Sequence, residues 1–549
     1  MSHPSSRALW FLLLSAAIAS LVYQFTGSRS VNGKTVDRPV NKSTHRTQTP
    51  TQTEILPDGS PDPDGAPSPG NEAFHANLKR TIESPSARPN EAILSFADEE
   101  AYRRFLARAQ HRGLAVLGQL DALLTVRVRY DSFSALERDL WEYRADFSGI
   151  VANAVVSLPP RPARDARELA GEVPFHGETL NFLGVRGKHE TWGRGIRIAV
   201  LDSGIAPDPT FEGGRVQYLN IGFGTLPGNG PTDGHGTSVA SLAAGSATDA
   251  AGLAPGAAVM SIRVTDSNGV SDIFTVAQAI LAAANSGVSI INLSMGSYAT
   301  APVLNNAISY AIERGAVIVA AAGNDQASQL TWPAADPRVI SVGAVDARSQ
   351  QVAFSNSGAQ LQISAPGLGV QSAWLHGQRV YGDGTSASAP LVTGAIAAVM
   401  SQYPNLTAAN AWAVVQKTTN DVGAPGADPN YGAGVLNLDW AMKYNHPTRQ
   451  DPAVSSHSYD ASTQQMNFVV QNRSAQTARN LSLDVSTNGT SIRRPIPPLA
   501  GGESYVVKLD LNGAGSANAP QQFTTQLVTP VGMEDANPAN NLLSSRLVR

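Results

Sequence analysis

Residues 196–204 read IRIAVLDSG: an apolar run that ends on an acid, Asp202, two residues before a glycine. Ile198, Ala199, Val200 and Leu201 lack the polar alternation of a half-exposed strand, so the stretch reads as a strand covered on both faces. The same character returns in AVMSIRV (258–264), VSIINLS (288–294), GAVIVAAAGN (315–324) and RVISVGAV (338–345). Between them, IFTVAQAILAAANSG (273–287) and APVLNNAISYAIERG (301–315) carry helical spacing and close on glycine. Strands alternating with helices predict an α/β fold, a doubly wound and mostly parallel sheet with helices on both faces. In such sheets the chemistry sits beyond the carboxyl ends of the strands.

Outward from this centre the texture changes four times. Residues 1–26 begin with the cation Arg7 and an apolar stretch that holds a small-residue cleavage candidate, Ala17-Ile18-Ala19. They read as an export signal, or as a membrane anchor if left uncut. Residues 27–90 are rich in Pro, Ser, Thr and Asp and read as a disordered linker. Residues 91–158 show a β-α-β-β-α-β order that predicts a ferredoxin-like unit. The α/β region is assigned to 176–445, and 450–549 holds short strands between Asn, Gly and Pro turns, which suggests an antiparallel β-sandwich. The 549 residues contain no Cys, which excludes disulfides and thiol chemistry, and the net charge of -4 gives no basic face for nucleic acid.

Three polar residues fall where the sheet rule points. Asp202 ends the first buried strand, Asn324 ends VIVAAAGN, and His235 lies in TDGHGTSVASLAAG ahead of a helix of small residues. Each alone has a plain alternative: a helix cap for Asp202, a structural ring for His235, a turn amide for Asn324. A fourth, Ser386, lies in GDGTSASAP (382–390), where serine among Gly and Ala is also a packing residue. Together they supply the base orienter, base, oxyanion donor and nucleophile that acyl transfer requires. No glycine fingerprint for nucleotide phosphate follows the first strand.

The motifs AVLDSGI, DGHGTSVASLAAG, INLSMGS, AAAGN and GDGTSASAPLVTGAIAAVM resemble, in order, those of the subtilisin-like serine peptidases. The resemblance spans about residues 179–441 and implies the subtilase fold and endopeptidase activity. Asp202, His235 and Ser386 then match the triad, in the subtilisin order Asp-His-Ser, and Asn324 matches the oxyanion donor. A pocket walled by Ser294, Met295 and Gly296 on one side and Ala321, Ala322 and Gly323 on the other, with no acid among them, implies a preference for apolar or aromatic residues. The 91–158 unit resembles the family's inhibitory prosegments, with maturation expected between Leu158 and Phe175, and the C-terminal end looks like cell-adhesion-type modules of exported bacterial proteins. The expected partners are protein or peptide substrates and the chain's own prosegment, with a membrane involved only if the N-terminal segment stays uncut. No cofactor is required for the chemistry. Many members bind calcium; DPNYGAG and TDSNGVSD read as plain turns, which leaves structural calcium open. The alternative function is a non-catalytic binding protein on the same scaffold.

Overall fold

The computed structural model describes residues 69–159, 171–511 and 520–548. The expected signal, residues 1–26, lies outside them, as does the linker up to residue 68.

The chain enters on helix α1 (Pro69–Ile82) and continues β1 (Ala87–Phe96), α2 (Glu99–Arg108), β2 (Leu114–Leu120), β3 (Thr125–Tyr130), α3 (Phe133–Glu142) and β4 (Phe147–Ser157). The four strands pair antiparallel in the order β2-β3-β1-β4. Helix α1 corrects the linker reading of residues 69–90. Phe74, Leu78 and Ile82 recur every four residues and bury one helix face against the unit's own core, a stripe that the Pro- and Asp-rich surroundings obscure.

The central region supplies β5 (Arg197–Asp202), β6 (Val216–Leu219), α4 (His235–Ala244), β7 (Ala258–Arg263), β8 (Val270–Asp272), α5 (Ile273–Asn285), β9 (Ile290–Leu293), α6 (Pro302–Glu313), β10 (Val317–Ala321), β11 (Ile340–Val345) and β12 (Ile363–Pro366). A hairpin, β13 (Val370–Ala373) and β14 (Arg379–Gly382), leads into α7 (Thr385–Gln402) and α8 (Ala408–Lys417). Seven strands form one parallel sheet in the order β12-β11-β10-β9-β5-β7-β6. Side chains alternate across a strand, so β5 sends Ile198 and Val200 to one core with α4 and α7, and Ala199 and Leu201 to a second core with α5 and α6. The expected doubly wound sheet is present. Its strand order reverses between β5 and β9, and the carboxyl ends there carry Asp202 and Ser294.

Seven further strands follow: β15 (Pro452–Asp460), β16 (Gln465–Asn472), β17 (Ser482–Thr487), β18 (Thr490–Pro495), β19 (Ser504–Asp510), β20 (Gln521–Val528) and β21 (Leu542–Leu547). They form two antiparallel sheets, β15-β16-β19 and β18-β17-β20-β21, which share a core built on Phe468, Leu483, Val485 and Phe523. None of the described helices is long and apolar enough to cross a membrane.

Candidate active site

Asp202 closes β5 and is 1% exposed. Its carboxylate accepts the backbone N–H of Ser203 at 2.7 Å and faces His235 Nδ1, at 2.8 and 3.0 Å from its two oxygens. The two loops are also tied behind the pair. The Ser203 hydroxyl donates to the Asp233 carbonyl oxygen at 3.0 Å and accepts the Gly236 N–H at 3.0 Å. Helix α4 can come this close only because Gly236 has no Cβ; one built there would lie 2.4 Å from the Gly204 carbonyl oxygen.

Ser386 stands in the first turn of α7, whose residues from Thr385 to Met400 are all buried. Pro390 lies inside this helix and has no N–H, so the carbonyl of Ser386, four residues earlier, loses its helical donor. The Ser294 hydroxyl replaces it at 3.1 Å. In turn the Ser386 hydroxyl donates to the Ser294 carbonyl oxygen at 3.2 Å. The end of β9 and the start of α7 are therefore stitched in both directions.

Asn324 follows β10, and its amide orientation is fixed by Thr385. The Asn324 Oδ1 accepts both the Thr385 N–H at 2.9 Å and the Thr385 hydroxyl at 2.8 Å, while that hydroxyl accepts the Gly323 N–H at 3.2 Å. An oxygen with two donors assigns the other end of the amide as Nδ2, a donor. Gly384, at φ 127°, makes room for it; a Cβ there would come within 2.7 Å of Nδ2. Thr385 is the residue that sequence reading missed, because its role depends on a partner 61 positions away.

A cavity of about 180 Å³ opens beside Asn324. Of the expected walls, Met295, Gly296, Ala321 and Gly323 line it. Ser294 and Ala322 are fully buried behind them, Ser294 bonded to Ser386 and the Ala322 carbonyl to Thr331 N–H. Ser297, Tyr298, Thr331 and Asp325 also line it, so the cavity holds one acid outside the six expected walls. Asp325 stands next to Asn324 in sequence and accepts the Tyr298 hydroxyl at 2.7 Å.

One wall comes from the N-terminal unit. Ser157, Leu158 and Pro159 line the same cavity. Strand β4 pairs antiparallel with β8, Ser157 exchanges backbone bonds with Gly296 at 3.3 and 3.2 Å, and Leu158 N–H donates to Gly269 at 2.9 Å. The TDSNGVSD stretch therefore holds a strand, β8, as well as a turn.

The carboxylates of the two calcium candidates are engaged by their own turns. Asp428 of DPNYGAG accepts the backbone N–H groups of Ala424, Asn430 and Tyr431, and Asp266 of TDSNGVSD accepts those of Asn268 and Val270, so both carboxylates cap their own turns. Beyond α4, the carbonyls of Thr210, Ala244 and Ala257 instead converge on the Arg215 guanidinium at 2.7 to 3.2 Å, a cation supplied by the chain. Among the described residues no group of three or more His, Asp or Glu gathers to hold a metal ion.

A strand-end carboxylate on an imidazole, a hydroxyl at a helix start and a fixed amide donor beside a cavity form a constellation for acyl transfer. The subtilase family matches residues 193–434. An alkaline protease of Alkalihalobacillus alcalophilus is 33% identical over 383 residues, covering 68% of this chain and 95% of that one. This chain belongs to the subtilase family. Subtilisin BL of Lederbergia lenta is 34% identical over 261 residues, 46% of this chain and 92% of the relative. Among solved structures, the epidermin leader peptide processing serine protease of Staphylococcus aureus shares the fold at 20% identity and a TM-score of 0.52, over 65% of this chain and 98% of the other. The protein is a subtilisin-like serine endopeptidase.

Proposed function

We propose that Asp202, His235 and Ser386 are the triad of an exported endopeptidase made as a zymogen. The Asp202–His235 pair at 2.8 Å carries this reading. For catalysis the Ser386 hydroxyl leaves the Ser294 carbonyl for His235 Nε2. His235 takes its proton as Oγ bonds to the substrate carbonyl carbon, and Asp202 steadies the imidazolium. The oxyanion receives hydrogen bonds from Asn324 Nδ2 and the Ser386 N–H at the start of α7. His235 then gives the proton to the leaving nitrogen as the C–N bond breaks. Water, deprotonated by His235, hydrolyses the ester, and the proton returns to Ser386. Each role falls to a side chain or backbone group of the protein, so the chemistry requires no cofactor.

The cavity beside Asn324 is read as the pocket for the residue on the acyl side of the cut bond. Met295, Ala321 and the glycines favour apolar or aromatic side chains, with Asp325 held by Tyr298 at the wall. The N-terminal unit is read as the inhibitory prosegment, since its last strand lies where a peptide would bind as an added strand. Export rests on residues 1–26. The test is Asn324→Ala in the matured enzyme. Casein hydrolysis should fall about a hundred- to a thousandfold in kcat with KM little changed, the magnitude known for subtilisin's own oxyanion asparagine. Unchanged kcat would remove Asn324 from the site.

A further inference from the structure

The strand in the cleft has a defined register, and that register ends on an imide. Ser157 and Gly296 exchange both backbone hydrogen bonds, so they form a narrow antiparallel pair. Two residues further along, the next such pair is Pro159 with Ser294. A residue at that place would donate its N–H to the Ser294 carbonyl, but proline has none. In the structure this carbonyl accepts the Ser386 hydroxyl instead, at 3.2 Å. Pro159 also lines the cavity beside Asn324, which places it at the pocket, and the bond that follows it in sequence is Pro159–Pro160.

We propose that Pro159 is a built-in lock: the N-terminal unit lays an uncleavable strand across its own active site, and maturation hydrolyses a bond downstream of Pro160. Three physical features combine. The missing N–H removes a hydrogen bond that would hold the acyl residue in line. The vacant carbonyl draws the nucleophile's hydroxyl. The nitrogen to be expelled is the tertiary nitrogen of Pro160, which carries a ring carbon where an ordinary peptide carries hydrogen. Leu158 and Pro159 each precede a proline and so favour extended backbone, which lowers the entropy lost when this strand docks. Activation must then come from hydrolysis elsewhere between Pro160 and Phe175, by a second molecule or another peptidase. Water adds across that bond to give a new carboxylate and a new amine.

The inference rests on the peptidase reading above, and the test separates the two. The full chain is expressed as wild type, as Pro159→Leu/Pro160→Ser and as that double variant with Ser386→Ala, and new N-termini are read by mass spectrometry. The wild type should give no fragment beginning at residue 160, whereas the double variant should be cut between 159 and 160. A wild-type fragment starting at Pro160, or a folded double variant left uncut there, overturns the lock. A cut at 159–160 that persists with Ser386→Ala overturns the peptidase reading instead. A second measurement does not depend on folding of the variant. Peptides of sequence 155–161, native or with Leu-Ser at 159–160, are incubated with matured enzyme. The native peptide should inhibit and be hydrolysed about a hundredfold more slowly than the substituted one; equal rates would contradict the lock.

Discussion

The catalytic sheet meets its two flanking units in different ways. On the N-terminal side, Ile93, Leu120, Ala154 and Val156 lie against α5 and α6, and β4 adds itself to β8. The cations there are partly wet although their shared carboxylate is buried: Arg88 and Arg127, with side chains 29% and 18% exposed, reach the fully buried Asp272 at 3.1 and 3.2 Å. On the C-terminal side the charges are enclosed. Arg449, 9% exposed, pairs with Asp439 at 2.7 Å and with Asp451, which is 2% exposed and accepts Asn540 at 2.8 Å. Arg473 is buried nearby, and burial pulls its guanidinium down to about 10. Added-strand pairing with partly exposed arginines can be exchanged for water and substrate, Asp272 keeping the Thr275 N–H at 2.9 Å, whereas removing one member of a pair enclosed on both sides strands the other. On the proposed zymogen reading, the N-terminal face is the one that is released and the C-terminal face the one that persists.

The largest effect expected is from Ser386→Ala. Peptide hydrolysis should fall about a millionfold, the figure known for subtilisin rather than one obtained from this geometry. In the absence of any other peptidase both flanking units should then stay attached, erasing the contrast; gel analysis of the chain expressed in a protease-deficient host would show the full-length species. Arg449→Ala attacks the contrast from the other side. It leaves Asp451 enclosed without its paired cation, only Arg473 remaining nearby, and should lower stability by about 3–5 kcal/mol in calorimetry.

A smaller effect comes from acid. His457 bonds Ser545 and Thr525 between the two C-terminal sheets, and burial lowers its ring to about 4 from the ordinary 6.5. The folded ring stays neutral while the unfolded one takes a proton. Stability should therefore fall as pH drops from 6.5 to about 4, by at most about 3 kcal/mol, and level off below. His457→Gln should flatten that slope in melting curves taken across this range.

How much was legible in the sequence followed from how local each signal is. The parallel sheet could be read because buried strands announce themselves in runs such as VIVAA, and Asp202 and Asn324 because they stand at such strands' ends. Strand β8 could not, since three residues carry no periodicity and it exists only by pairing with β4, about 115 residues earlier. Helix α1 was hidden by its neighbours' composition. Asp325 was overlooked beside Asn324 because nothing in sequence says which way a loop side chain faces. Ser294 was expected as a pocket wall and instead serves the carbonyl that Pro390 leaves free.

The central claim is that, with Pro159 in place, Ser386 becomes a nucleophile only when β4 leaves the cleft. A serine-directed phosphonate, applied to the full-length chain and to the chain freed of its N-terminal unit, tests it directly when the adduct is mapped by mass spectrometry. The account predicts one adduct per freed chain, on Ser386, and almost none on the full-length form. Equal labelling of both forms, or an adduct on another residue, would contradict it.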